Sequence, residues 1–422
     1  MNFMTQEKFS VKDLNLAEQG QRNIEWAELQ MGALMKVRNR FAQERPFLGL
    51  RIGIALHVTK ETAVLVHTLK AGGAEVAICS CNPLSTQDDV AAALAKEDIR
   101  VYAKKGQTKE EYYHALRSVL AFKPQITIDD GCDLVSEIHT HHPELIPSLL
   151  FGNEETTTGV IRLKAMEKDG ALKYPVLAIN DLKTKHLFDN FYGTGQSTID
   201  GIIRATNILF AGKKVVVCGY GPCGKGVANR AKGFGALVIV TEVEPFRALQ
   251  ATMDGYQVLP LLIAASLGDI FITVTGNKNV IDLQHLKEMK EGVILANAGH
   301  FDAEINISRL REQATSIRKI RPFMDEYFFQ GKKLFVLGEG RLINLAAAEG
   351  HPSTIMTMSF CGQALATEYG VKNRGKLKVG VNELPAEIDQ TIAELQLQAL
   401  GIKKDILTEE QKKYLVSWQE GT

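Results

Sequence analysis

The chain of 422 residues has no surplus of charge: Lys plus Arg and Asp plus Glu each number 49, for a formal net charge of zero. That removes the electrostatic case for a nucleic-acid or anionic-membrane partner, since both call for a basic excess. Local runs such as Arg318, Lys319 and Arg321 then read as a solvated face. Cysteine is scarce. Cys79, Cys81, Cys132, Cys218, Cys223 and Cys361 form no CxxC pair, and with no secretory signal in the polar opening "MNFMTQEKFSVKDL" they point to a reducing, cytoplasmic setting. Cys79 and Cys81 sit along an expected strand and would share a face, as buried structural residues. In that setting the sequon at Asn306 carries no glycan.

Long apolar runs are missing too. The longest, "VLPLLIAASLGDIFITV" (258–274), holds Pro260 and Asp269 and is expected to break into two elements, short of a membrane span. No low-complexity linker and no repeat with a period of about 20–50 residues is present, which excludes solenoid arrays.

What is present is length enough for two or three cores. The first fifty residues read as helical, with an apolar rhythm through Ile24, Leu29, Leu34 and Val37. Then apolar runs alternate with helical patterns: "RIGIALH", "AEVAICS", "IRVYAK" and "QITIDDG" as strands, with helices between. Such alternation predicts a doubly wound α/β unit with a parallel sheet. Ligands of these sheets sit beyond the carboxyl ends of the strands. Those ends carry His57 and Thr59, Cys81 and Asn82, then Asp129 and Asp130. They form a candidate substrate site, although polar residues also simply begin loops.

A second array runs through "KKVVVCG", "LVIVTE", "YQVLP", "DIFITVTG", "GVILANAG" and "KLFVLGEG", joined to the first near "DNFYGTGQSTIDGIIRATN". Its first strand-to-helix turn is "CGYGPCGKG". Gly219 permits the tight turn, Gly221 lets amides approach a pyrophosphate, and Gly224 lets helix and strand pack closely. Glu242 ends the next strand, where an acid accepts from the ribose hydroxyls and repels a 2′-phosphate, so NAD is expected over NADP. Between the arrays, Lys185 and Asp189 in "NDLKTKHLFDN" are four apart and would share a helix face. They could move a proton as a hydride leaves an alcohol, or be an ordinary exposed ion pair. The stretch "EIHTHH" offers Glu137, His139, His141 and His142, read as an exposed helix end and not a metal site.

The motifs "HVTKETAVLV", "CNPLSTQDDVAAAL", "DDGCDL", "NEETTTGV", "DLKTKHLFDN", "GYGPCGKG", "NAGHFDAEI" and "GEGRLINLAAAEGHPSTIM" resemble, in order and over nearly the whole chain, the S-adenosyl-L-homocysteine hydrolase family. The resemblance implies two Rossmann-like parallel-sheet domains joined by a hinge, plus a small C-terminal helical segment. It places a substrate domain at 1–184 and 352–382, an NAD domain at 190–351 and an oligomerisation segment at 383–422. It also implies a mechanism. Tightly bound NAD+ oxidises the 3′-hydroxyl, the ketone acidifies C4′–H, homocysteine is eliminated, water adds, and NADH reduces the ketone to give adenosine. Lys185 and Asp189 would handle the 3′-hydroxyl proton, with Glu155 and Asn180 positioning the ribose. Asp130 would be the C4′ acid–base with His57 beside it, and His300 would serve the leaving homocysteine or the water. Thr59, Glu61, His351 and Met356 would hold the adenosine, Glu61 accepting from the exocyclic amine. Asn190, Thr156, Thr157, Thr158, Asn277, Asn297 and Asn344 would contact NAD. Gln87 and His351 match positions around a monovalent cation in some members; no catalytic metal is implied. A homotetramer is implied, in a soluble protein with no membrane or nucleic-acid partner.

The chain departs from the family in its ending. "LTEEQKKYLVSWQEGT" replaces the usual Lys- and Tyr-bearing tail, with Lys412, Lys413 and Tyr414 upstream, which implies looser NAD binding. Pro222-Cys223 stand where many members have Asp-Val, and an insertion of some relatives is missing. Three rival readings stand: an S-inosyl-L-homocysteine hydrolase, disfavoured by the acceptor-only Glu61; a catalytically silent NAD-binding regulator, disfavoured by Asp130, Glu155, Lys185, Asp189 and His300; and a 2-hydroxy-acid dehydrogenase, which would release NADH and no thiol.

Overall fold

The computed structural model describes residues 8–419. The first seven residues of the polar opening and the last three of the C-terminal segment lie outside the described residues.

Two eight-stranded sheets carry the chain. The first is built from β1 (Phe9–Ser10), β2 (Arg51–Ala55), β3 (Glu75–Cys79), β4 (Arg100–Tyr102), β5 (Ile126–Asp129), β6 (Phe151–Glu154) and β7 (Pro175–Ala178). The second holds β8 (Lys214–Cys218), β9 (Leu237–Thr241), β10 (Gln257–Val258), β11 (Ile270–Thr273), β12 (Val293–Asn297), β13 (Ser316–Arg321), β14 (Met324–Phe329) and β15 (Lys332–Leu337). Finally β16 (Gly380–Asn382) returns to the first sheet beside β7.

In the first sheet the order is β1-β4-β3-β2-β5-β6-β7-β16, with every pairing parallel. The chain winds one way through β2, β3 and β4, then the other through β5, β6 and β7. The switch therefore falls between β2 and β5, where a crevice opens beyond the strand ends. The second sheet, β10-β9-β8-β11-β12-β15-β14-β13, has its switch between β8 and β11. Strands such as Ile52–Ala55 and Val215–Cys218 are apolar throughout because helices cover both sheet faces.

Two expectations need correction here. The second sheet is not wholly parallel: β13 and β14 form an antiparallel hairpin on β15. The expected solvated run of Arg318, Lys319 and Arg321 is that hairpin's edge strand, exposed along its length. In the N-terminal helix Ala17–Gln30, Ile24 is buried but Leu29 is 79% exposed. The C-terminal helical segment is present: helix Ala386–Ala399 buries Ile392 in the core formed by the first sheet's residues and helix Ser353–Lys372, while residues 400–419 are exposed. As expected, 258–274 splits into the end of β10, helix Leu261–Ala265 and β11. Among the described residues, no helix is long and apolar enough to cross a membrane.

Candidate functional site

The two switch points meet across one cavity of about 940 Å³. From the first sheet it receives His57 after β2, Asp130 after β5, and Glu155 to Thr158 after β6. From the second come Gly219 and Gly221 after β8, Glu242 after β9, Thr275 to Lys278 after β11, and His300 after β12. The connecting segments add Lys185, Asp189, Asn190, Asn344, His351 and Met356.

Two clusters of acid–base groups line it. In one, the Lys185 ammonium lies 3.7 Å from Glu155 and 3.6 Å from Asp189, and donates to Asn190 at 2.9 Å. Asp189 also accepts from Ser359 at 2.7 Å and meets His351 Nδ1 at 3.0 Å. Glu155 accepts from Gln363. Burial disfavours every charge here. For Lys185 that cost is outweighed by Asp189 and Glu155, which hold its proton more tightly than usual. For Asp189 it is outweighed by Lys185 and His351, which keep the carboxylate ionised below its ordinary range. Glu155 is left as the weak acid, pushed up to about 8 by burial and by the Asp189 charge against the pull of Lys185. Lys185 and Asp189 do face each other, but not along one helix. Helix Lys183–His186 is short, and Asp189 opens a π-turn, Asp189–Gly193, of the kind that re-aims side chains at functional sites.

In the other cluster, Asp130 stands between two imidazoles. His57 Nε2 is 3.4 Å from one carboxylate oxygen, and His300 Nδ1 is 3.5 Å from the other. His57 Nδ1 bonds Ser85 Oγ at 2.7 Å and meets Cys81 Sγ at 3.2 Å. Burial presses His57 down to about 4, against the attraction of Asp130, so the ring is neutral at pH 7. Cys81, two residues past the end of β3, is buried as expected and packs behind the site, its thiol 3.6 Å from Asp130. Burial and Asp130 raise its pKa well above the ordinary thiol value, so it is no thiolate nucleophile. His57, Cys81 and Asp130 are also the group whose ligand atoms converge among the described residues, all within 4.8 Å of one another. In the "EIHTHH" stretch, expected to be an exposed helix end, Glu137 is instead buried and paired with Arg117, and His139 takes the Lys173 amide and bonds Val135 O.

Around these clusters the remaining expectations sort themselves. Thr59 caps helix Lys60–Ala71, and Glu61 receives the Ser353 hydroxyl at 2.6 Å and the Lys60 ammonium at 3.3 Å; both line the cavity. Asn180 accepts from Thr157 at 3.0 Å and from Asn190 at 3.4 Å, behind the cavity wall. Asn297 is displaced from its expected role. It is fully buried, and its amide donates to the carbonyls of Gly299, Phe301 and Gly340, bracing the loop that presents His300. Among the described residues Gln87 and His351 share no hydrogen-bond partner: Gln87 bonds Lys60 N and Glu349 O, while His351 bonds Asp189, Thr194 and Asn344. Sequence reasoning missed Ser359 and Gln363, which sit on an apolar helix without a motif, and Arg247, which stands over the glycine turn.

The residues present fit a dinucleotide. A Cβ at Gly224 would fall 2.0 Å from Gly219 O, so helix and turn can be this close only with glycine. Gly219 itself has a φ of 107°, a left-handed conformation that favours glycine. Helix Pro222–Gly233 points its N-terminus at the turn. Glu242 is fixed by the amides of Tyr220, Val243 and Glu244, with acceptor capacity to spare on Oε2. Asn344 Oδ1 is a buried acceptor without a partner, on a side chain that lines the cavity.

Two family models match successive parts of the chain. Residues 190–350 match the family model described as "S-adenosyl-L-homocysteine hydrolase, NAD binding domain", and residues 8–150 match "S-adenosyl-L-homocysteine hydrolase". The chain is 59% identical over 414 residues to the S-inosyl-L-homocysteine hydrolase of Methanocaldococcus jannaschii, covering 98% of this chain and 100% of that one. It is 57% identical over 415 residues to the adenosylhomocysteinase of Sulfurisphaera tokodaii, with the same coverage. Against the adenosylhomocysteinase of Aquifex aeolicus it is 57% identical over 417 residues, again covering 98% and 100%.

Proposed function

Because the chain belongs to the S-adenosyl-L-homocysteine hydrolase family, we propose that it hydrolyses S-adenosyl-L-homocysteine reversibly to adenosine and L-homocysteine, with NAD as its cofactor. The observation that carries this reading is the meeting of two separate acid–base clusters with the glycine turn in one cavity. A simple dehydrogenase needs one proton site; oxidation followed by elimination needs two.

Bound NAD+ supplies a reversible hydride acceptor for the 3′ carbon. In this reading Thr59, Glu61, His351 and Met356 hold the nucleoside, while Gly219, Gly221, Gly224, Glu242, Asn190, Asn277, Asn344 and Thr156 to Thr158 hold the dinucleotide. The proton of the 3′-hydroxyl passes into the Lys185, Glu155 and Asp189 cluster. There the competition between three charges leaves Glu155 nearest to neutral titration, a match of pKa to task. Asp130 takes the C4′ proton once the adjacent carbon is a ketone. Neutral His57 donates toward Asp130, and His300 on the far side is placed to protonate departing sulfur or to orient water. Closure of the two sheets over the cavity keeps water from the ketone.

The Methanocaldococcus relative makes the S-inosyl thioether the second reading. Glu61 favours the adenosyl substrate: a carboxylate already accepting from Ser353 and Lys60 can accept again from an exocyclic amine, whereas hypoxanthine turns a carbonyl oxygen there. A cytoplasmic homotetramer completes the proposal, supported by six free cysteines and by exposed apolar side chains at the C-terminus, Trp418 being 91% exposed.

Thiol release by the purified protein, with the adenosyl and inosyl substrates side by side and absorbance followed for net NADH, tests this. Thiol from the adenosyl substrate without NADH build-up is the expected result. Preference for the inosyl substrate would overturn the reading of Glu61, and thiol from neither would give the lead to the silent homologue.

A further inference from the structure

The doubled acids Asp129-Asp130 and Glu154-Glu155 end neighbouring strands, and the register sets Asp129 opposite Glu154. Successive side chains of a strand face opposite ways. Asp130 and Glu155 accordingly line the cavity, while Asp129 and Glu154 are fully buried behind it. The front pair has its roles; the back pair does not.

Asp129 has an evident local duty. Its two oxygens accept from Asp130 N at 3.0 Å and from Val135 N at 2.9 Å, the latter in the first turn of helix Asp133–His141. Glu154 is different. One oxygen, Oε1, accepts from Gly131 N at 2.8 Å and from Thr156 N at 3.1 Å, while Oε2 is buried with no partner. Gly131 follows Asp130, and Thr156 follows Glu155, so a single oxygen joins the two turns that present the front carboxyls. Space for it is made from the next helix. A Cβ at Gly159 would fall 2.1 Å from the carboxyl carbon, and helix Thr157–Lys168 therefore carries a glycine in its first turn.

We propose that Glu154 is a positioning residue for the reaction, its carboxyl fixing the turn that carries Asp130 against the turn that carries Glu155. The proposal rests on the hydrolase reading, in which Asp130 works at C4′ and Glu155 in the cluster at the 3′ oxygen. Glu154 does this as a neutral acid. Burial away from water and the charges of Asp129 and Asp130 hold its proton on well above the ordinary carboxyl range. Two amide donors on one oxygen ask only for an acceptor, which the carbonyl oxygen of a carboxylic acid or of an amide supplies equally.

The test compares the NAD-loaded parent with Glu154→Ala and Glu154→Gln, reading thiol release together with NAD content, melting temperature and the infrared difference spectrum. Misplaced turns lower kcat and not substrate affinity, so Glu154→Ala should lose about tenfold or more in kcat with KM within about threefold. Glu154→Gln should recover most of that loss, and the parent-minus-Gln spectrum should show a protonated-carboxyl C=O band. An Ala variant with undiminished kcat would overturn the proposal. So would a folded, NAD-loaded Gln variant as slow as Ala, or a difference spectrum without the band. If Glu154→Ala does not fold, the Gln variant and the band decide by themselves: loss beyond about tenfold in Gln, or no band, refutes it. Failure of the hydrolase reading shows separately, as a parent that releases no thiol.

Discussion

Replacing Gly131 by Ala should uncouple the two halves of the chemistry. Gly131 has a φ of 104°, and a Cβ there would sit 2.2 Å from His300 Nε2. Ordinary contact begins near 3.4 Å, so the imidazole must retreat by about 1 Å. The left-handed backbone adds about 1–3 kcal/mol of strain, enough to lower the melting temperature without unfolding a chain with two large cores. A displacement of about 1 Å at a reacting group costs on the order of 10²-fold in rate. That loss should fall on elimination, because His300 faces Asp130 and not the Lys185 cluster. Rapid mixing with substrate would follow enzyme-bound NADH by absorbance and thiol by trapping, in protein matched for NAD content. The expected outcome is bound NADH at close to the parent's rate, with thiol release reduced on the order of 10²-fold. Thiol release at the parent's rate in a folded Ala variant would show that the contact of His300 with the Gly131 turn is not the reacting arrangement.

Two further outcomes follow from the electrostatics. Glu242→Gln keeps an oxygen for the surrounding amides but removes the charge that would repel a 2′-phosphate; the preference for NAD over NADP, measured by equilibrium binding, should fall at least about tenfold, and an unchanged preference would assign discrimination elsewhere. His57 has a folded-state pKa of about 4 against an ordinary 6.5, so its contribution to stability is present above pH 6.5 and lost as pH falls through 4. The loss is on the order of 3 kcal/mol, and melting curves between pH 7 and pH 4 should fall more steeply for the parent than for His57→Asn; equal slopes would refute the neutral buried imidazole.

Much of this was legible in the sequence, for stated reasons. Parallel strands buried on both faces read as continuous apolar runs, and the polar residues that end them mark the crevice; His57 and Asp130 were found that way. The glycine turn was legible because each glycine answers a steric demand. The edge strand Ser316–Arg321 was not, since its alternation is between exposed side chains and carries no burial signal; its charges are those that guard an edge against pairing. Burial of Cys81 was legible, but its contact with Asp130 was not, because β3 ends at Cys79 and the two-residue rule stops there. Asn297 was placed by likeness in a motif, and only the geometry shows its amide satisfied by three carbonyls. Ser359 and Gln363 belong to a helix that is buried on most sides and mixes polar with apolar residues, where a polar residue is significant only once its partner, in the site, is known.

The distribution of ion pairs also bears on how substrate enters. The Lys185, Glu155 and Asp189 pairs are buried, and breaking one would leave an uncompensated charge at a cost of about 3–5 kcal/mol. All three residues precede the second sheet in the chain, so moving that sheet away need not disturb them. The side-chain contacts from the first sheet's surroundings to the segment 346–349 are of another kind. Lys60 pairs with Glu349 at 2.9 Å, Lys105 donates to Ala346 O at 2.8 Å, and Gln87 to Glu349 O at 3.3 Å. Glu349 is largely exposed, and the buried Lys60 keeps Glu61 at 3.3 Å as a partner when Glu349 leaves, so little charge is left uncompensated. Inside the cavity, His300 approaches Asp130 across the two sheets at 3.5 Å, without short hydrogen-bond geometry. Separating the sheets therefore sacrifices weak contacts and retains the strong ones. For the proposed mechanism this predicts that the Lys185, Glu155 and Asp189 cluster stays assembled in an open cleft, and that the His300 and Asp130 pair is completed on closure, with water excluded from the ketone.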